Sequence, residues 1–355
     1  MNKLDEDYQS LLKDILENGV LSNDRTGTGT ISVFGRQIRH DMSNGFPLIT
    51  TKKMAFKTMT TELLWFLKGD TNIKFLIDNK CNIWNGDAYK HYLSNRSNST
   101  REDNYAEKIP IGSIIRPYTM EEFVEKIKSD KDFSIKWGEL GPIYGAQWRN
   151  WGGRFDQISN LINQLRENPD SRRLLVSAWN LEEIENMTLP PCHYSFQVYT
   201  RELELWERVD LAKNKGVKVY TVDSLSVNGG MIEKIKNQLN EGGVPSRSIS
   251  LMFNMRSSDT GLGLPANIMS YALLLLMLAK QVNMVTDEVI ASLGDTHIYK
   301  DQIDGIKELI TREPYSLPTV ELSDRIVNDI SEYTIDDIKL VDYKSHPKLY
   351  LPLSN

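Results

Sequence analysis

The sequence has few cysteines and no long apolar run, and both absences exclude classes of protein. Its two cysteines, Cys81 and Cys192, are too few for a disulfide framework in 355 residues, and no cluster has zinc-ligand spacing. We therefore expect no metal. The most apolar segment, residues 268–279, is too short to cross a bilayer and is typical of a buried helix, so we expect no membrane partner.

An excess of positive charge is also lacking. The chain has 42 Lys+Arg and 48 Asp+Glu, a formal net charge of −6. This balance argues against a broad nucleic-acid-binding face but allows a local anion pocket. The N-terminal segment is acidic and amphipathic, unlike a signal peptide, so we expect a cytoplasmic location. The composition, 40% hydrophobic and 25% charged, is that of an ordinary soluble globular protein.

Hydrophobic periodicity predicts the elements of an α+β fold. Apolar residues recur at helical spacing over residues 6–17 and 56–67. Strands are predicted where apolar and polar residues alternate, over residues 31–34, 172–179, 193–200 and 249–256. Regular alternation of strands and helices is missing, so these elements predict a mixed or largely antiparallel sheet packed with helices.

Two segments interrupt this pattern and are interpreted as insertions in a single domain spanning residues 1–355. Residues 92–137 are polar and charge-rich, as in a surface lobe. Residues 202–248 contain a helix-like stretch, GGMIEKIKNQL, with one apolar face. The second insertion could cover an active site, extend a dimer surface or bind a partner, and the sequence does not choose among these roles.

Cys192 lies in the motif LPPCHY, where two prolines fix the backbone before it. A cysteine at such a rigid strand entry could be a nucleophile if a cation lowers its pKa. The alternative is a buried, inert cysteine. His193 follows directly, but neighbouring side chains on a strand point to opposite faces, so it need not activate the thiol.

Arginines and hydroxyls at turns and strand ends indicate a phosphate-binding site. The candidates lie in a Gly/Thr-rich turn, after a Pro-Asp-Ser turn and at a strand end: Arg25, Arg172, Arg173, Arg256 and Ser257. Guanidinium groups suit a phosphate dianion, and scattered surface ion pairs are the alternative. Because no GxxxxGK[ST] motif is present, a nucleoside monophosphate is favoured over a triphosphate.

Glu62, Asp259 and His297 are further candidates, each with a structural alternative. Glu62 lies on the polar side of the 56–67 helix beside large apolar residues, where burial would raise its pKa. The alternative is a solvated helix glutamate. Asp259 could equally be a turn or cap residue, and His297 a hydrogen-bonded structural histidine. Individually, these residues do not establish a function.

Taken in order, the motifs resemble those of the thymidylate synthase family. The chain contains DRTGTGT, ELLWFLKGDTN, ELGPIYGAQWR, SRRLLVSAWN, LPPCHY, RSSD and LGDTHIY, and only the two insertions lie outside the resemblance. The resemblance implies the family's α+β fold, with a mixed sheet whose face forms an obligate two-fold dimer interface. It also implies dUMP and 5,10-methylenetetrahydrofolate as substrates, with no metal.

The resemblance further implies a role for each candidate residue. Cys192 would be the thiolate that adds to C6 of the base, and His193 belongs to the same catalytic set. Glu62 would act on the base through ordered water, and Tyr144 would assist proton removal at C5. In one subunit, the 5′-phosphate would be held by Arg25, Arg256 and Ser257. The other subunit would contribute Arg172 and Arg173 across the dimer interface. The ribose would be bound by His297 and Tyr299. The folate would be bound by Ile83, Trp84, Asp259 and Leu262.

Asn267 bears on the choice of base. A carboxamide both donates and accepts hydrogen bonds, so it can pair with O4 and N3–H of uracil. Members of the family that act on dCMP have aspartate at this position. Asn267 therefore predicts dUMP as the substrate.

Four departures from the synthase pattern fall on the folate side of the site. Met255 replaces a glutamine, Ala266 replaces an aromatic residue, residues 85–88 lack a second tryptophan, and residues 351–355 replace a small apolar C-terminus. Phage hydroxymethylases of the family share the sequence NMRS. Such changes should admit water to the site.

These departures predict a phage-encoded deoxyuridylate hydroxymethyltransferase in the host cytoplasm. Water would add to the exocyclic methylene at C5, giving 5-hydroxymethyl-dUMP and tetrahydrofolate. One alternative is a thymidylate synthase, which makes dTMP and dihydrofolate. Another is a non-catalytic nucleotide-binding regulator, against which the retention of Cys192, Glu62 and the arginines weighs.

Overall fold

The computed structural model describes residues 2–23, 27–96, 117–219 and 229–353. The helices are α1 Lys3–Asn18, α2 Phe56–Leu67, α3 Lys74–Asp78, α4 Asn85–Arg96, α5 Met120–Ser129, α6 Lys131–Trp137, α7 Tyr144–Asn150, α8 Gln157–Glu167, α9 Leu205–Asn214, α10 Gly229–Glu241, α11 Gly263–Gln281 and α12 Ile303–Leu309. The strands are β1 Val20–Ser22, β2 Thr30–Asp41, β3 Leu175–Ser177, β4 His193–Glu202, β5 Arg247–Asp259, β6 Val285–Tyr299, β7 Thr319–Leu322 and β8 Ile338–Val341.

Six of these strands form one mixed sheet in the order β1-β2-β6-β5-β4-β3. Neighbouring strands are antiparallel, except that β5 and β6 run parallel and are joined through α11. β7 and β8 pair separately. The prediction of an α+β fold with a mixed sheet packed against helices is confirmed.

α11 lies in the core against β5 and β6. It extends beyond the predicted apolar window at both ends, and most of its residues are buried. By length and composition α11 could cross a membrane, but 67% of its most apolar window is buried inside the protein. This burial is the pattern of a core helix, which is hydrophobic on nearly every side.

The strand predicted over residues 172–179 is shorter than expected. β3 comprises only Leu175–Ser177, and Arg172 and Arg173 lie in the turn that precedes it. Val198 donates its N–H to the carbonyl of Leu174, so this turn lies beside the second half of β4. The two arginines are therefore held at the end of the sheet opposite to Cys192.

The described part of the 202–248 insertion is a small helical lobe that follows β4. α9 and α10 pack together through a separate apolar cluster consisting of Ala212, Ile235, Leu239 and Val244. β4 begins beside Cys192 and ends at Glu202, so about ten residues of extended chain, roughly 30 Å, separate the thiol from the start of the lobe.

The described part of the other insertion has more apolar contact than its polar composition predicts. α5 and α6 bring Phe123, Phe133 and Trp137 against the ring of Tyr92 in α4. Residues 97–116 and 220–228 of the two predicted insertions lie outside the described residues. The assignment of the whole chain to one domain stays a prediction.

Buried Asp5 joins α1 to the loop after β2. Its carboxylate accepts hydrogen bonds from the backbone N–H groups of Thr50 and Thr51 and from both of their hydroxyls. Asp5→Asn would turn an NH₂ group toward these donors, so we expect the free energy of unfolding to fall by about 3 kcal/mol. Urea denaturation measures the change. Asp7→Asn is the matched control, since Asp7 lies in the same helix and forms an ion pair with exposed Lys3. Equal losses in the two variants would contradict the prediction.

Candidate active site

Cys192 lies immediately before β4, in a backbone fixed from two sides. Its N–H donates to the hydroxyl oxygen of Tyr144 at 2.8 Å, and its carbonyl accepts the N–H of Arg256 at 2.9 Å. The two preceding prolines contribute their carbonyl oxygens, which accept hydrogen bonds from the Arg256 guanidinium at 2.8 and 2.9 Å. The half-buried thiol is thus locked in place at the meeting point of β4, β5 and α7.

Arg256 places its guanidinium beside the thiol of Cys192. Its Nη2 lies 3.9 Å from Sγ of Cys192, and its guanidinium lies over the ring of Trp179, 5.7 Å from the centroid. A positive charge so close to sulfur favours the thiolate over the thiol. The inert-cysteine alternative fits Cys81 better, because Cys81 is fully buried and burial raises the pKa of its thiol to about 11.

His193 is held by two tyrosines. Its Nδ1 lies 2.8 Å from the hydroxyl of Tyr271, and its ring stacks on that of Tyr144 with centroids 4.1 Å apart. Burial lowers the pKa of His193 to about 3, so the imidazole is neutral near pH 7. A neutral, hydrogen-bonded ring at this position orients its neighbours and supplies no charge to Cys192.

Glu62 is largely removed from solvent. Its Oε1 accepts a hydrogen bond from the indole Nε1 of Trp84 at 2.7 Å. Burial raises the pKa of Glu62 to about 7, and the hydrogen bond from Trp84 opposes this shift. A carboxyl group that titrates near neutrality can both accept and donate protons at physiological pH.

A small cavity connects Glu62 with the base-recognition candidate. Its lining combines polar and aromatic side chains from α2, α7, β4 and α11, namely Glu62, Leu63, Phe66, Trp148, His193, Asn267, Ser270 and Tyr271. Polar groups at such a site suit an ordered water. The fold therefore brings Glu62, His193 and Asn267 to one site, although they come from three distant parts of the sequence.

Asp259 is the last residue of β5, and its carboxylate bonds both to the turn that follows and to Gln302. Its Oδ1 accepts the backbone N–H groups of Gly261 and Leu262 at 3.0 and 3.1 Å, which is the turn role proposed as an alternative. Its Oδ2 accepts from Nε2 of Gln302 at 3.4 Å, and the same nitrogen donates to the carbonyl of Pro352 at 3.0 Å. The Asp259 carboxylate is thereby connected to the C-terminal tail.

Lys52 is a buried cation beside Asp259 that sequence analysis did not assign. Its ammonium group donates to the carbonyl of Gly261. Burial lowers the pKa of Lys52 to about 8, and the charge of Asp259 opposes this shift. Burial likewise raises the pKa of Asp259, and Lys52 and His297 counteract it. The motif TTKK contains Lys52 and was its only sequence signal.

The ribose and phosphate candidates are distributed over the sheet ends. Nδ1 of His297 lies 3.1 Å from Oδ1 of Asp295, and its ring contacts that of Tyr299. Ser257 is half-buried and follows Arg256 in β5. Arg25 lies outside the described residues. Within one chain Arg172 and Arg173 are exposed and are not brought to Cys192.

The folate candidates differ in exposure. Trp84 is buried and bonded to Glu62, Ile83 is 42% exposed, and Leu262 is half-buried against the core.

Two further residues that sequence analysis missed hold the site together: Tyr271, the partner of His193, and Gln302, the link between Asp259 and the tail. Among the residues that the structure describes, no group of three His, Cys, Asp or Glu side chains could hold a metal.

A thiol beside a guanidinium, together with a buried carboxyl group that titrates near neutrality and lines a cavity with Asn267, fits an enzyme that forms a covalent adduct with its substrate. The chain belongs to the thymidylate synthase family, since the family model described as thymidylate synthase matches residues 6–355. It is therefore a one-carbon transferase of a family that uses dUMP and methylenetetrahydrofolate.

Individual relatives are similar over nearly their full length. A thymidylate synthase of Mycoplasma mobile is 41% identical over 344 residues, which cover 97% of this chain and 98% of the relative. The thymidylate synthase of Malacoplasma penetrans shows the same identity and coverage. That of Listeria monocytogenes is 38% identical over 357 residues, with 98% and 99% of the two chains covered.

The prediction of a hydroxymethyltransferase is wrong. The relatives are named thymidylate synthase, which favours the alternative of dTMP formation. The structure gives a physical reason why the departures misled. Met255 is 4% exposed and Leu351 of the tail is also buried, so these two departures fill packed regions of the fold.

Proposed function

We propose that this chain is a thymidylate synthase, which transfers the one-carbon unit of 5,10-methylenetetrahydrofolate to C5 of dUMP and releases dTMP and dihydrofolate. The observation that carries the proposal is the thiol of Cys192 beside the Arg256 guanidinium, in a chain whose full-length relatives bear that name.

Cys192 starts the reaction as a nucleophile. Its thiolate adds to C6 of the uracil ring, and the electron pair of the C5–C6 double bond makes C5 nucleophilic. The positive charge of Arg256 beside the sulfur would stabilise the thiolate before the attack. Because its guanidinium hydrogen bonds go to two proline carbonyls in the present structure, Arg256 can exchange these neutral acceptors for the 5′-phosphate without changing its place beside the thiol.

Glu62 and Tyr144 handle protons at the base. The carboxyl group of Glu62 lines the same cavity as Asn267, so a water in that cavity could carry a proton between Glu62 and O4 of uracil. The Tyr144 hydroxyl accepts the N–H of Cys192, and this contact with the backbone of the nucleophile supports a role for Tyr144 in removal of the C5 proton. Asn267 pairs with O4 and N3–H, which selects uracil.

The folate side must exclude water for reduction to succeed. Methylenetetrahydrofolate supplies the carbon and then the hydride that completes the methyl group. The second carboxylate oxygen of Asp259 suits N–H donors of the pterin, and Trp84 offers an aromatic wall. Gln302 connects the tail to Asp259 by hydrogen bonds. Leu351 of the tail packs closely against Gly305, since a Cβ atom added to this glycine would lie only 2.5 Å from Cδ2 of Leu351. A tail seated in this way favours a dry site.

The exposed arginine pair supports a shared site in a two-fold dimer. Arg172 and Arg173 are exposed at the far end of the sheet, where they cannot serve Cys192 of the same chain. The outer face of β3 and β4 also exposes Leu175 and Tyr199. Pairing of this face with a second copy would bury these apolar residues and bring the arginines to the partner's nucleotide.

Product analysis tests the proposed function. The enzyme is incubated with dUMP and methylenetetrahydrofolate, and both products are identified by mass spectrometry and absorbance. We expect dTMP and dihydrofolate in equal amounts. Formation of 5-hydroxymethyl-dUMP with tetrahydrofolate would refute the proposal. dCMP offered in place of dUMP is the control for base selection by Asn267, and it should give no product.

A further inference from the structure

The 202–248 insertion meets the sheet beside the turn that carries Arg172 and Arg173. Residues 202 and 247, the two ends of the lobe, are paired across β4 and β5. On its other side β4 contacts the turn, since the hydroxyl of Thr200 donates to the carbonyl of Pro169 at 2.8 Å and the N–H of Val198 donates to the carbonyl of Leu174. The lobe therefore returns the chain to the sheet at the position where the arginine turn is anchored.

Arg247, the first residue of β5, connects the lobe to this turn. Its Nε donates to the Thr200 hydroxyl at 3.1 Å, and its Nη2 pairs with the carboxylate of Asp170. Its Nη1 lies 3.4 Å from Oε1 of Glu202. One guanidinium thus holds both the strand residue that contacts Pro169 and the aspartate two positions before Arg172.

Burial separates this contact from ordinary surface ion pairs. The Arg247 side chain is 11% exposed and Thr200 is 4% exposed, whereas exposed pairs contribute little because water and salt screen them. A largely buried guanidinium with several hydrogen-bonding partners has few alternative positions. Asp170 and Glu202 are themselves 74% and 84% exposed, so the restraint on the turn comes from the buried guanidinium and from Thr200.

We propose that Arg247 is a positioning residue that fixes the 168–173 turn, so that Arg172 and Arg173 are presented to the nucleotide phosphate of the partner subunit. The inference rests on the proposed function, because it assigns those two arginines to a dUMP phosphate. The insertion then has a defined role. It supplies Arg247 at its end and buttresses the phosphate-binding turn from the side away from Cys192.

The mechanism is a loss of conformational freedom before binding. Ser171 accepts the N–H of Arg173 through its hydroxyl, and Gln197 donates to the carbonyl of Arg172 at 3.4 Å. These weaker contacts hold the end of the turn, while Arg247 holds its start through Asp170. A turn fixed at both ends pays less ordering entropy when its arginines engage a phosphate.

Steady-state kinetics on the full-length enzyme test the proposal. We expect Arg247→Gln to raise KM for dUMP about tenfold, a change within the range measured for neighbouring residues that interact. The value of kcat and KM for methylenetetrahydrofolate should change less than about twofold. Arg247→Lys should recover part of the lost affinity. Asp170→Asn should also raise KM for dUMP, and the double variant should be no worse than Arg247→Gln alone.

Arg201→Gln is the matched control. Arg201 lies one residue from Thr200, but its guanidinium pairs with Glu207 and Asp287 and not with the turn, so KM for dUMP should stay unchanged. An unchanged KM for dUMP in Arg247→Gln would overturn the proposal. A fall in kcat accompanied by equal rises in KM for dUMP and KM for methylenetetrahydrofolate would also overturn it. If Arg247→Gln does not fold, Asp170→Asn decides in the same way, since Asp170 is an exposed residue.

Arg173→Ala separates this inference from the function on which it rests. If Arg173→Ala raises KM for dUMP and Arg247→Gln does not, the positioning role is wrong and the shared-arginine site remains. If Arg173→Ala leaves KM unchanged, the assignment of the arginine pair to the nucleotide is itself wrong, and the role of Arg247 is wrong with it.

Discussion

Cys192→Ala should lower turnover of dUMP by at least about 10⁴-fold, because it removes the atom that forms the covalent bond to C6. The rest of the site should remain intact, since the backbone contacts of Cys192 with Tyr144 and Arg256 do not involve sulfur. We therefore expect the variant to bind dUMP, as measured by calorimetry, while dTMP formation is lost. Full activity in this variant would show that another residue is the nucleophile.

Cys81 provides the matched control. It is fully buried, and burial raises the pKa of its thiol to about 11, so little thiolate is present at neutral pH. Iodoacetamide should label Cys192 first, and dUMP should protect it, as peptide mass spectrometry would detect. Cys81→Ala should keep most of the activity. Preferential labelling of Cys81 would contradict the assignment of the reactive thiol.

Glu62→Gln should reduce kcat by about 10²- to 10³-fold, which is the usual contribution of a positioned acid–base group. Glutamine keeps the shape of the side chain and can still accept the hydrogen bond from Trp84, but it cannot exchange a proton. Since the carboxyl group serves the chemistry, KM for dUMP should change less than kcat. A large change in KM with unchanged kcat would indicate a binding role.

Glu62→Gln should lower activity but raise stability at high pH, because the buried carboxyl group makes the stability of the parent enzyme depend on pH. Below about pH 4.5, Glu62 is protonated in both the folded and the unfolded chain. Between pH 4.5 and its folded pKa of about 7, only the folded state keeps the proton, so the free energy of unfolding falls as pH rises through this window. The total loss is about 3 kcal/mol, and it is complete above pH 7.

Glu62→Gln lacks this penalty, so its free energy of unfolding should exceed that of the parent enzyme at pH 8 and approach it at pH 5. Urea denaturation at the two pH values gives the comparison. Glu6→Gln in α1 is the control, because Glu6 is exposed and its replacement should leave the pH dependence unchanged. A Glu62→Gln variant that loses stability at pH 8 would contradict the raised pKa.

Regular elements with one buried face could be predicted from the sequence. α2 has the predicted bounds, residues 56–67, because its apolar residues follow the helical repeat closely. α1 begins earlier than predicted, at Lys3, because the side chain of Asn2 caps it by accepting the N–H of Asp5. β2 runs to Asp41, well beyond the predicted residue 34, because Gly35 and charged side chains on its exposed face interrupt the alternation.

The family resemblance assigned Cys192, Arg256, Glu62 and Asn267 to one site, but local sequence patterns could not predict which side chains contact each other there, because the partners are far apart in sequence. Arg256 lies 64 positions from the thiol that it accompanies, and Lys52 lies 209 positions from the carbonyl that it contacts. Local patterns carry no information about such pairs. The error in function has a related origin: Met255 was judged by its neighbours in the motif, whereas in the fold it fills a packed core, where hydrophobic substitutions of similar volume are well tolerated.

α1 also bears on how the chain is completed during synthesis. Gln9 donates to the carbonyls of Leu309 and Arg312, and Asn2 donates to that of Tyr315, so the first helix acquires these hydrogen bonds only after some 300 further residues have been added. At ordinary translation rates this delay is roughly 15 to 60 s. Throughout that time α1 lacks these three hydrogen bonds, whereas its contacts with Thr50 and Thr51 can form much earlier. A polypeptide that extends only to residues 300–308 therefore has almost every candidate active-site residue and still lacks these three hydrogen bonds.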